Sequence, residues 1–481
     1  MVVLMRRGLL ICLFLIGALL APASPARADT AQVITVAAIF VSPATVMQPG
    51  DTLVLNNQDL LPHNLVSQQP GLFATPTINP GTSAEAVGAS SLPSGVYPFV
   101  CTLHPWMLGA LAVQDAVPIP VLPGGDPLAP PSTSIGLAAG VVPTPTSVTV
   151  RGNDVYATSY AQGALFKAPM VAEGLLGVST LVADGFTNPL GVVVDDSTGI
   201  AFVSDSHPST TGRTTDGRVW AVNPNGTKEI VMDGLPNGRH NTNGMAIKDG
   251  RLYITNGNST DDGIAGGEPE VAPYSGSLLS VPVTGRNLAP ADATVEATGM
   301  RNVYDVAFRP DTTEAWMTMN GPDALEPFGE DLLLKVDVSG PPVDFGFPGC
   351  VYRAGPGGPT DPEAGDNPVI PGPCGAHTPP EVTLGLHVSA DGLAFGPETS
   401  PWNGDLFIAE FGNFFGAPAG RKTVRVPIDG SGNAGAPVDA VPVGAGPLDV
   451  AFGPSGLYVA DFLASTILLV RPELAALTLP V

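Results

Sequence analysis

Asp449-Val-Ala-Phe452, followed by Gly456-Leu-Tyr-Val459 and Thr466-Ile-Leu-Leu469, is the stretch that decides the fold, because it is repeated along the chain. Each piece is a short run of apolar, β-branched and aromatic residues, which is typical of strands. Counterparts of the first piece begin at Ser147, Gly191, Gly244, Asp305, Gly392 and Asp449. Most of the chain therefore consists of six copies of one small β unit.

The spacing of the copies indicates how they are arranged. Each copy contains three recognisable strand pieces, and successive copies start 44 to 87 residues apart. A repeat of this length with three or four strands is the signature of a β-propeller. We therefore predict an all-β chain with a six-bladed β-propeller over residues 146–472. An array of β-sandwiches is the alternative, but it gives no reason for a recurring pattern.

Residues 29–116 have a different pattern, in which short β-like runs are separated by turns such as Pro49-Gly50-Asp51. This predicts a small β-sandwich. It contains Cys101-Thr-Leu-His104-Pro-Trp-Met107, with His63 thirty-eight positions before the cysteine. One thiolate, two imidazoles and a weak axial thioether are the ligands of a type 1 copper centre. We predict that copper is held by His63, Cys101, His104 and Met107.

This segment resembles the plastocyanin and amicyanin family of cupredoxins over its whole length. The Cys-x2-His-x2-Met loop and Pro62-His63-Asn64 are most similar to amicyanin. The resemblance implies a cupredoxin-like β-sandwich that transfers single electrons to or from a redox partner protein. Taken singly, Cys101 could instead be a small buried apolar residue, and His63 a loop histidine.

The first 28 residues have the pattern of a secretory signal peptide. Arg6 and Arg7 precede an apolar run from Gly8 to Ala21, and Ala26-Arg27-Ala28 supplies small residues for cleavage. The run is too short to span a bilayer, and an uncleaved anchor is the alternative. We expect export to the periplasm or the exterior, with no membrane span after cleavage.

The charge of the chain excludes one class of partner. Asp and Glu number 44 and Lys and Arg 20, which gives a net charge of −24 at pH 7. Loss of Arg6, Arg7 and Arg27 with the signal peptide would make the charge more negative by three. Because such a surface repels phosphates, no nucleic-acid partner is expected.

Two further segments are defined by composition. Residues 117–145 are rich in proline, glycine and serine, which predicts a semi-rigid linker. Cys350 and Cys374 lie in a Gly/Pro-rich insertion within the fourth repeat, which should extend from one face. Since Cys12 belongs to the signal peptide and Cys101 to the copper motif, we expect Cys350 and Cys374 to form a disulfide. Two free thiols are the alternative.

Functional groups of a propeller are expected at one mouth of its channel, on loops that enter or leave the inner strands. These loops carry Gly238-Arg-His240, Gly299-Met-Arg301-Asn302, Asn320-Gly321-Pro322, His387 and Glu410. Because these residues occupy equivalent positions in successive copies, we expect them to converge on one mouth. His207 and His377 lie in loops without evident partners and are expected to be solvated.

From Asn188 to Val470 the chain resembles the glucose/sorbosone dehydrogenase family, six-bladed propellers that use pyrroloquinoline quinone (PQQ). Besides the mouth motifs, the resemblance includes Leu252-Tyr-Ile-Thr-Asn-Gly257 and Asp344-Phe-Gly-Phe-Pro348. It implies that His240 removes the proton of a sugar hydroxyl while hydride passes to the quinone. It also implies cofactor contacts from Arg301 and Asn302, and a calcium ion on the carbonyls of Gly321 and Pro322. These residue types suit a general base, a carboxylate clamp and a hard-cation site.

The chain also departs from that family. Asn258 stands where an acidic partner of the histidine would be expected. The lysine that contacts the quinone has only Arg421, Lys422 and Arg425 as candidates. His240 could instead be a structural loop histidine, and Arg301 could form an ion pair between blades.

Three functions follow from these observations. The first is an exported oxidoreductase, in which the propeller oxidises a sugar or another alcohol with PQQ and the tethered copper domain removes the electrons. The second is an NHL-like binding propeller whose copper domain serves an outside partner. The third is a calcium-dependent lactonase-type propeller, with Glu410, Asn243 and Asp461 as ligands.

Overall fold

The structure is a computed structural model of the whole chain. It describes residues 30–36, 39–40, 44–47, 49–57, 61–93, 95–113, 133–137, 142–171, 176–206, 214–265, 268–270, 274–323, 328–370, 372–398, 400–412, 419–441 and 446–472. The predicted signal peptide and His207 lie outside these ranges. The regular elements within them are strands, with short 3-10 turns at Ala89–Ser91 and Pro290–Asp292. None of the helical segments in these ranges is long and apolar enough to cross a membrane.

The N-terminal domain is a β-sandwich of two four-stranded sheets. Its strands are β1 (Thr30–Val36), β2 (Ile39–Phe40), β3 (Ala44–Met47), β4 (Thr52–Asn57), β5 (Val66–Ser67), β6 (Ser83–Glu85), β7 (Gly95–Cys101) and β8 (His104–Val113). The sheet orders are β2-β1-β4-β6 and β3-β8-β7-β5. Burial alternates along β4, where Leu53 and Leu55 face the core with no exposed surface. This alternation is what two packed sheets require.

The described residues that follow the sandwich form six sheets with the strand order of a propeller blade and two two-stranded hairpins. The strand β9 (Thr133–Leu137) comes first, and blade one then contains β10 (Pro145–Arg151), β11 (Asp154–Ser159), β12 (Ala164–Pro169) and β13 (Thr180–Asp184). Blade two contains β14 (Pro189–Val194), β15 (Ala201–Asp205), β16 (Thr214–Val222) and β17 (Lys228–Asn237). Blade three contains β18 (Thr242–Lys248), β19 (Arg251–Asn256), β20 (Ile264–Ala265), β21 (Glu268–Pro269), β22 (Ser277–Pro282) and β23 (Thr294–Thr298), and its β20 and β21 form one of the hairpins.

Blades four to six continue the series. Blade four, with its insertion, contains β24 (Asn302–Phe308), β25 (Glu314–Asn320), β26 (Glu330–Asp337), β27 (Val343–Asp344), β28 (Cys350–Gly355), β29 (Gly358–Asp366) and β30 (Val382–Leu386). Blade five contains β31 (Ala390–Phe395), β32 (Leu406–Glu410), β33 (Lys422–Val426) and β34 (Val438–Val441). Blade six contains β35 (Pro447–Gly453), β36 (Gly456–Asp461) and β37 (Thr466–Pro472). The first strands of neighbouring blades contact one another around a closed ring, including β10 with β35. The predicted all-β fold, a two-sheet sandwich followed by a six-bladed propeller, is confirmed.

The residue that opens each repeat holds two blades together. A Cβ atom on Gly244 would lie 1.8 Å from Oδ1 of Asp305, so this position admits only glycine. Asp449 in blade six accepts hydrogen bonds from Ser147 Oγ at 2.6 Å and from the N–H of Val148 at 2.8 Å, both in blade one. The alternation of Gly with Asp or Ser at this position therefore reflects the close approach of the innermost strands.

The sixth blade is completed by a strand from the beginning of the domain. β9 pairs antiparallel with β37, which makes it the outer strand of the last blade. The prediction of a continuous linker over residues 117–145 is therefore wrong at residues 133–137. Pairing across the join closes the ring and covers an otherwise open strand edge.

The insertion of the fourth repeat is anchored rather than hanging free. β27 pairs with β23 of blade three, β28 and β29 form a hairpin, and Cys350 and Cys374 form a disulfide. Phe345, Cys350 and Tyr352 are buried in the core shared with blades three and four. Despite its Gly/Pro-rich composition, the insertion therefore packs part of its length into the propeller core.

His377, the histidine of this insertion, was expected to be solvated but is held by contacts within the protein. Nδ1 of His377 donates to the carbonyl of Gly375 at 2.7 Å and lies 3.3 Å and 3.4 Å from the sulfurs of Cys350 and Cys374. His377 is half-buried and its ring packs edge-on against Tyr352. It is a structural residue of the disulfide region, not a solvated one.

Candidate functional site

A pocket of about 300 Å³ lies on one face of the propeller, among the loops of blades three, four and five. The loops either precede an innermost strand or follow a second strand, as the equivalence of the repeats predicts. The pocket is lined by Arg239, His240, Arg301, Asn302, Asn320, Gly321, Asp323, Asp331, His387, Ser389 and Gly412. Seven of the residues expected at the mouth are thus brought together, namely Arg239, His240, Arg301, Asn302, Asn320, Gly321 and His387. Pro322 and Glu410 are not among the lining residues described.

His240 is a buried titratable group of the lining. Nδ1 lies 2.7 Å from Oδ1 of Asn258 and 3.0 Å from the backbone oxygen of the same residue. Because both neighbours are acceptors, the proton of the neutral ring is assigned to Nδ1, and Nε2 keeps a lone pair. Burial, followed by the positive charge of Arg301, holds the pKa of His240 well below its usual range. His240 is therefore a neutral base on the pocket wall.

Asn258 takes the place where the family resemblance implies an acidic residue. Its side chain is buried, and its amide nitrogen donates to Thr260 Oγ1 at 3.1 Å and to Glu270 Oε2 at 3.1 Å. The ring of His240 thus contacts an amide oxygen rather than a carboxylate. An amide orients the ring without adding a negative charge beside it.

Arg301 is buried and belongs to an ion-pair network that crosses two blades. Nε donates to the backbone oxygen of Asp261 at 2.8 Å, and Nη2 pairs with the carboxylate of the same residue. Nη1 donates to the backbone oxygen of Asn320 at 3.1 Å. Burial raises the pKa of Asp261, but Arg301, together with Arg239 and the N–H of Asp323, outweighs burial, so the pKa lies below its usual value. The alternative of an ion pair between blades therefore describes much of what Arg301 does.

Arg239 is the more available cation of the pocket. Its side chain is 46% exposed and forms an ion pair with Asp323, itself 49% exposed. Asp323 also lies 3.7 Å from Nη2 of Arg301. An anionic ligand that displaced the exposed Asp323 carboxylate would meet Arg239 first. The sequence motif Gly238-Arg239-His240 contains this arginine, but the sequence predicts no role for it.

The polar groups beside Gly321 are held by hydrogen bonds. Asn302 donates to Asn320 Oδ1 at 2.7 Å and accepts from Asn243 Nδ2 at 2.9 Å, so its amide joins neighbouring strands. The N–H of Gly321 donates to Asp331 Oδ1 at 2.9 Å. Burial raises the pKa of Asp331 to about 6, against the effect of the backbone donors that it accepts from. No sequence motif points to Asp331.

The ligands expected for a lactonase-type calcium site do not line this pocket in the described residues. Asn243 donates to Asn302 and to the backbone oxygen of Val303, and Asp461 accepts from the N–H groups of Gly446 and Ala464. Glu410 is buried beside Lys422, at 3.9 Å, and burial raises its pKa to about 8. All three side chains thus have structural partners.

The candidates for a quinone-binding lysine are also engaged elsewhere. Lys422 pairs with Asp439 at 2.5 Å, and Arg425 lies 3.5 Å from Asp405. Arg421, whose pKa is lowered by burial, is not among the residues lining the pocket. None of the three candidates is among the described residues that line the pocket. In that lining the cationic side chains, apart from the histidines, are Arg239 and Arg301.

Two of the predicted copper ligands, His63 and Cys101, lie close together inside the sandwich. His63 and Cys101 are fully buried, and Nδ1 of His63 is 3.7 Å from Sγ of Cys101. Cys101 is not in a disulfide. Met107 and His104 lie on β8, and their side chains are outside the described residues.

The two segments that carry His63 and Cys101 are tied together by their next residues. Asn64 Oδ1 accepts from the N–H of Thr102 at 2.8 Å, and Asn64 Nδ2 donates to Thr102 Oγ1 at 2.7 Å. This reciprocal pair of hydrogen bonds holds the segment of the imidazole beside the segment of the thiol. A thiol and an imidazole at such a distance suit a soft, copper-type ion.

Comparison with known proteins identifies the fold of the larger part. No protein-family model and no curated protein matches the chain by sequence. The calcium structure of the Carbohydrate-Active Enzymes Family AA12 protein of Trichoderma reesei aligns with a TM-score of 0.57 and 16% identity, over 74% of this chain and 100% of that one. The PQQ-bound aldose sugar dehydrogenase of Streptomyces coelicolor aligns with a TM-score of 0.50 and 18% identity, over 71% and 100%. At these identities the likeness shows the fold alone.

The sandwich has a weaker counterpart. A structure of a reduced mutant of amicyanin aligns with 17% of this chain and 80% of its own, with 23% identity and a TM-score of 0.16. That score is too low to carry an argument. A copper centre is therefore inferred from the residues of this chain alone.

Proposed function

We propose that this chain is an exported oxidoreductase whose propeller oxidises a sugar or another alcohol with a PQQ-type cofactor and passes the electrons to a type 1 copper centre. The observation that carries the proposal is His240, a buried neutral imidazole with its proton fixed on Nδ1, in a pocket with two arginines. A base of low pKa beside guanidinium groups suits proton removal from a neutral hydroxyl near an anionic cofactor.

The donor set of the pocket fits a planar polycarboxylate. The chain has fewer than half as many basic as acidic residues, yet Arg239, Arg301, His240 and His387 share one pocket. The pocket volume is at the lower end of the usual range for small-molecule sites. Arg239 and Arg301 would hold carboxylates of the cofactor, with Asn302 beside them. Gly321 and Pro322, next to Asp331, would supply oxygen ligands for a calcium ion.

The residues of this chain would act mainly on the proton. Nε2 of His240 would accept the hydroxyl proton of the substrate, and the resulting cation would be stabilised by the two oxygens of Asn258 on Nδ1. Arg301 would stay fixed by Asp261, so its positive charge would be preorganised beside the reacting atoms. When bound, PQQ supplies the two-electron acceptor for the hydride.

The copper domain accounts for the fate of the electrons. A type 1 centre takes one electron at a time, and a tether keeps its concentration near the propeller high. The signal-like first 28 residues support export, where a redox partner protein would accept the electrons.

The test is an absorption experiment on the purified full-length chain loaded with copper. With PQQ, calcium and a sugar or alcohol present, we expect the blue band to bleach as copper is reduced. Sugar without PQQ, and PQQ without sugar, should leave the band unchanged. Bleaching that is independent of PQQ, or tight calcium binding without any PQQ binding, would contradict the proposal, and the latter would favour a lactonase-type propeller.

A further inference from the structure

Glu270 is a buried acidic residue behind His240 that no sequence motif indicated. It follows β21 in the loop of blade three and is 8% exposed. Its carboxylate accepts from the N–H of Ser259 at 2.7 Å, from Thr260 Oγ1 at 2.8 Å and from Ser275 Oγ. Burial alone would raise the pKa of Glu270, but these donors outweigh it and the pKa lies below its usual value. The group is therefore an ionised carboxylate, which can only accept hydrogen bonds.

This carboxylate decides which way the amide of Asn258 points. Nδ2 of Asn258 faces Glu270 Oε2 and Thr260 Oγ1, each at 3.1 Å. Because the hydroxyl hydrogen of Thr260 is donated to Glu270, the hydroxyl presents a lone pair to Asn258. Both neighbours of Nδ2 are thus acceptors, and the opposite amide orientation would place Oδ1 against them. Oδ1 must therefore face His240.

We infer that Glu270 is a positioning residue, which through Asn258 keeps the proton of His240 on Nδ1 and leaves Nε2 free to act as the base. The structural part of this inference stands on the hydrogen bonds alone. Its catalytic part rests on the proposed function. An acidic residue, Glu270, is thus present behind Asn258 rather than in contact with His240. It orients the ring of His240 through the amide of Asn258, which keeps the negative charge away from the ring.

The variant that tests the inference is Glu270→Gln. The introduced amide has nearly the same shape but adds a donor, which can oppose Nδ2 of Asn258 and allow that amide to turn over. The backbone oxygen of Asn258 still accepts from Nδ1 at 3.0 Å. We therefore expect a partial change, in which a measurable fraction of His240 carries its proton on Nε2.

The measurement is a two-bond 1H–15N NMR spectrum of the full-length protein with 15N-labelled histidine and no cofactor. The signals of His240 are assigned by their absence in His240→Gln. Wild type should show only the Nδ1–H tautomer, and Glu270→Gln a mixture. An unchanged tautomer in Glu270→Gln would overturn the inference.

Two further variants separate orientation from general loosening. Ser275→Ala removes one hydrogen bond to Glu270 but keeps its charge, so the tautomer should stay as in wild type. An equal change in Ser275→Ala would overturn the inference. The double variant Asn258→Asp with Glu270→Gln exchanges acid and amide, and the introduced carboxylate accepts from Nδ1 directly. It should restore the Nδ1–H tautomer, and failure to do so in a folded protein would also contradict the inference.

Activity provides the second readout. With PQQ and calcium added, Glu270→Gln should lower kcat/KM by about 10- to 100-fold, less than loss of the base itself, and the double variant should recover part of this. If wild type is inactive while the tautomer responds as expected, the proposed function fails and the positioning role stands. If wild type is active and the tautomer does not respond, the positioning role of Glu270 fails and the proposed function stands.

Discussion

The sandwich and the propeller each bury a histidine whose Nδ1 faces a partner within the protein, and the two partners differ in kind. Nδ1 of His63 lies 3.7 Å from the sulfur of Cys101, whereas Nδ1 of His240 lies 2.7 Å from the amide oxygen of Asn258. An unprotonated nitrogen beside a thiol can share a metal, but a nitrogen that donates to an oxygen leaves its ring as a base. The neighbour of Nδ1, and not burial, therefore distinguishes the histidine proposed to bind copper from the histidine proposed to accept the proton.

The largest effect should come from removing the thiol in the sandwich. Cys101→Ser replaces the thiolate that gives a type 1 centre its colour and its trigonal geometry. We expect complete loss of the blue absorption of the copper-loaded protein. The double variant Cys350→Ser with Cys374→Ser is the control and should remain blue. A blue Cys101→Ser protein would remove the basis of the comparison.

Removing the imidazole at the propeller mouth should lower turnover while leaving the copper band intact. For His240→Ala we expect a fall in kcat of about two to four orders of magnitude, as for loss of a general base. Binding of PQQ should be nearly unchanged, since the arginines remain. His377→Ala, in the disulfide region, is the matched control and should keep wild-type turnover. Equal losses in both variants would show that His240 has no special role.

Substitutions of the two arginines of the pocket should differ in their effect on stability but not in their effect on PQQ binding. Arg301→Ala removes the closer ion-pair partner of the partly buried Asp261 and leaves it only Arg239 at 3.8 Å, which should lower the free energy of unfolding by about 3 kcal/mol. Arg239→Ala breaks a half-exposed pair with Asp323 and should lower it by less than about 1 kcal/mol. Both variants should weaken PQQ binding through loss of a charge-assisted contact.

Urea unfolding and a PQQ titration measure these two effects separately. A large stability loss in Arg239→Ala, with none in Arg301→Ala, would contradict the assignment of the two arginines.

The smallest effect concerns pH. Burial, then Arg301, with a further contribution from Arg239, keeps the pKa of His240 low, and Asn258 and Asp261 only partly oppose them. The base is lost when it is protonated, so the acid limb of kcat/KM should lie well below pH 6.5. Asn258→Asp adds a carboxylate at Nδ1 and should move this limb to higher pH. A limb near pH 6.5 in wild type, unmoved by Asn258→Asp, would contradict the assignment.

The same group links stability to pH with a definite sign. Since the folded pKa of His240 lies below the unfolded value, the unfolded state binds more protons between the two. The contribution is therefore fully present above about pH 6.5 and is lost as pH falls towards the folded pKa.

Much of the fold was predictable because its signals are local. Strand pieces such as Asp449–Phe452 recur with turns between them, and a repeat that cannot bury its faces alone must stack with its neighbours. The strand Thr133–Leu137 was missed for the opposite reason. Its five residues lie in a Pro/Gly-rich segment, and only the ring closure on β37 gives them a partner.

In the candidate sites, features that depend on residues close together in the sequence were predictable, and contacts between distant residues were not. Cys101, His104 and Met107 share one tight loop and therefore form a recognisable motif, and His240 and Arg301 stand in short motifs at equivalent places of the repeat. Their convergence was predicted from that equivalence, and seven of the expected residues do line one pocket. What these side chains contact was not predictable in the same way.

The sequence alone determined six repeats, an all-β chain and a copper-type ligand set, because each depends on residues that are near one another or equivalent along the chain. The tertiary structure alone decided that Arg301 pairs with Asp261 of the neighbouring blade and that Glu270 acts on His240 through Asn258. The physical reason is that a buried charge takes whatever partner the packed blades place beside it, and loops of separate hairpins meet only once the ring has closed.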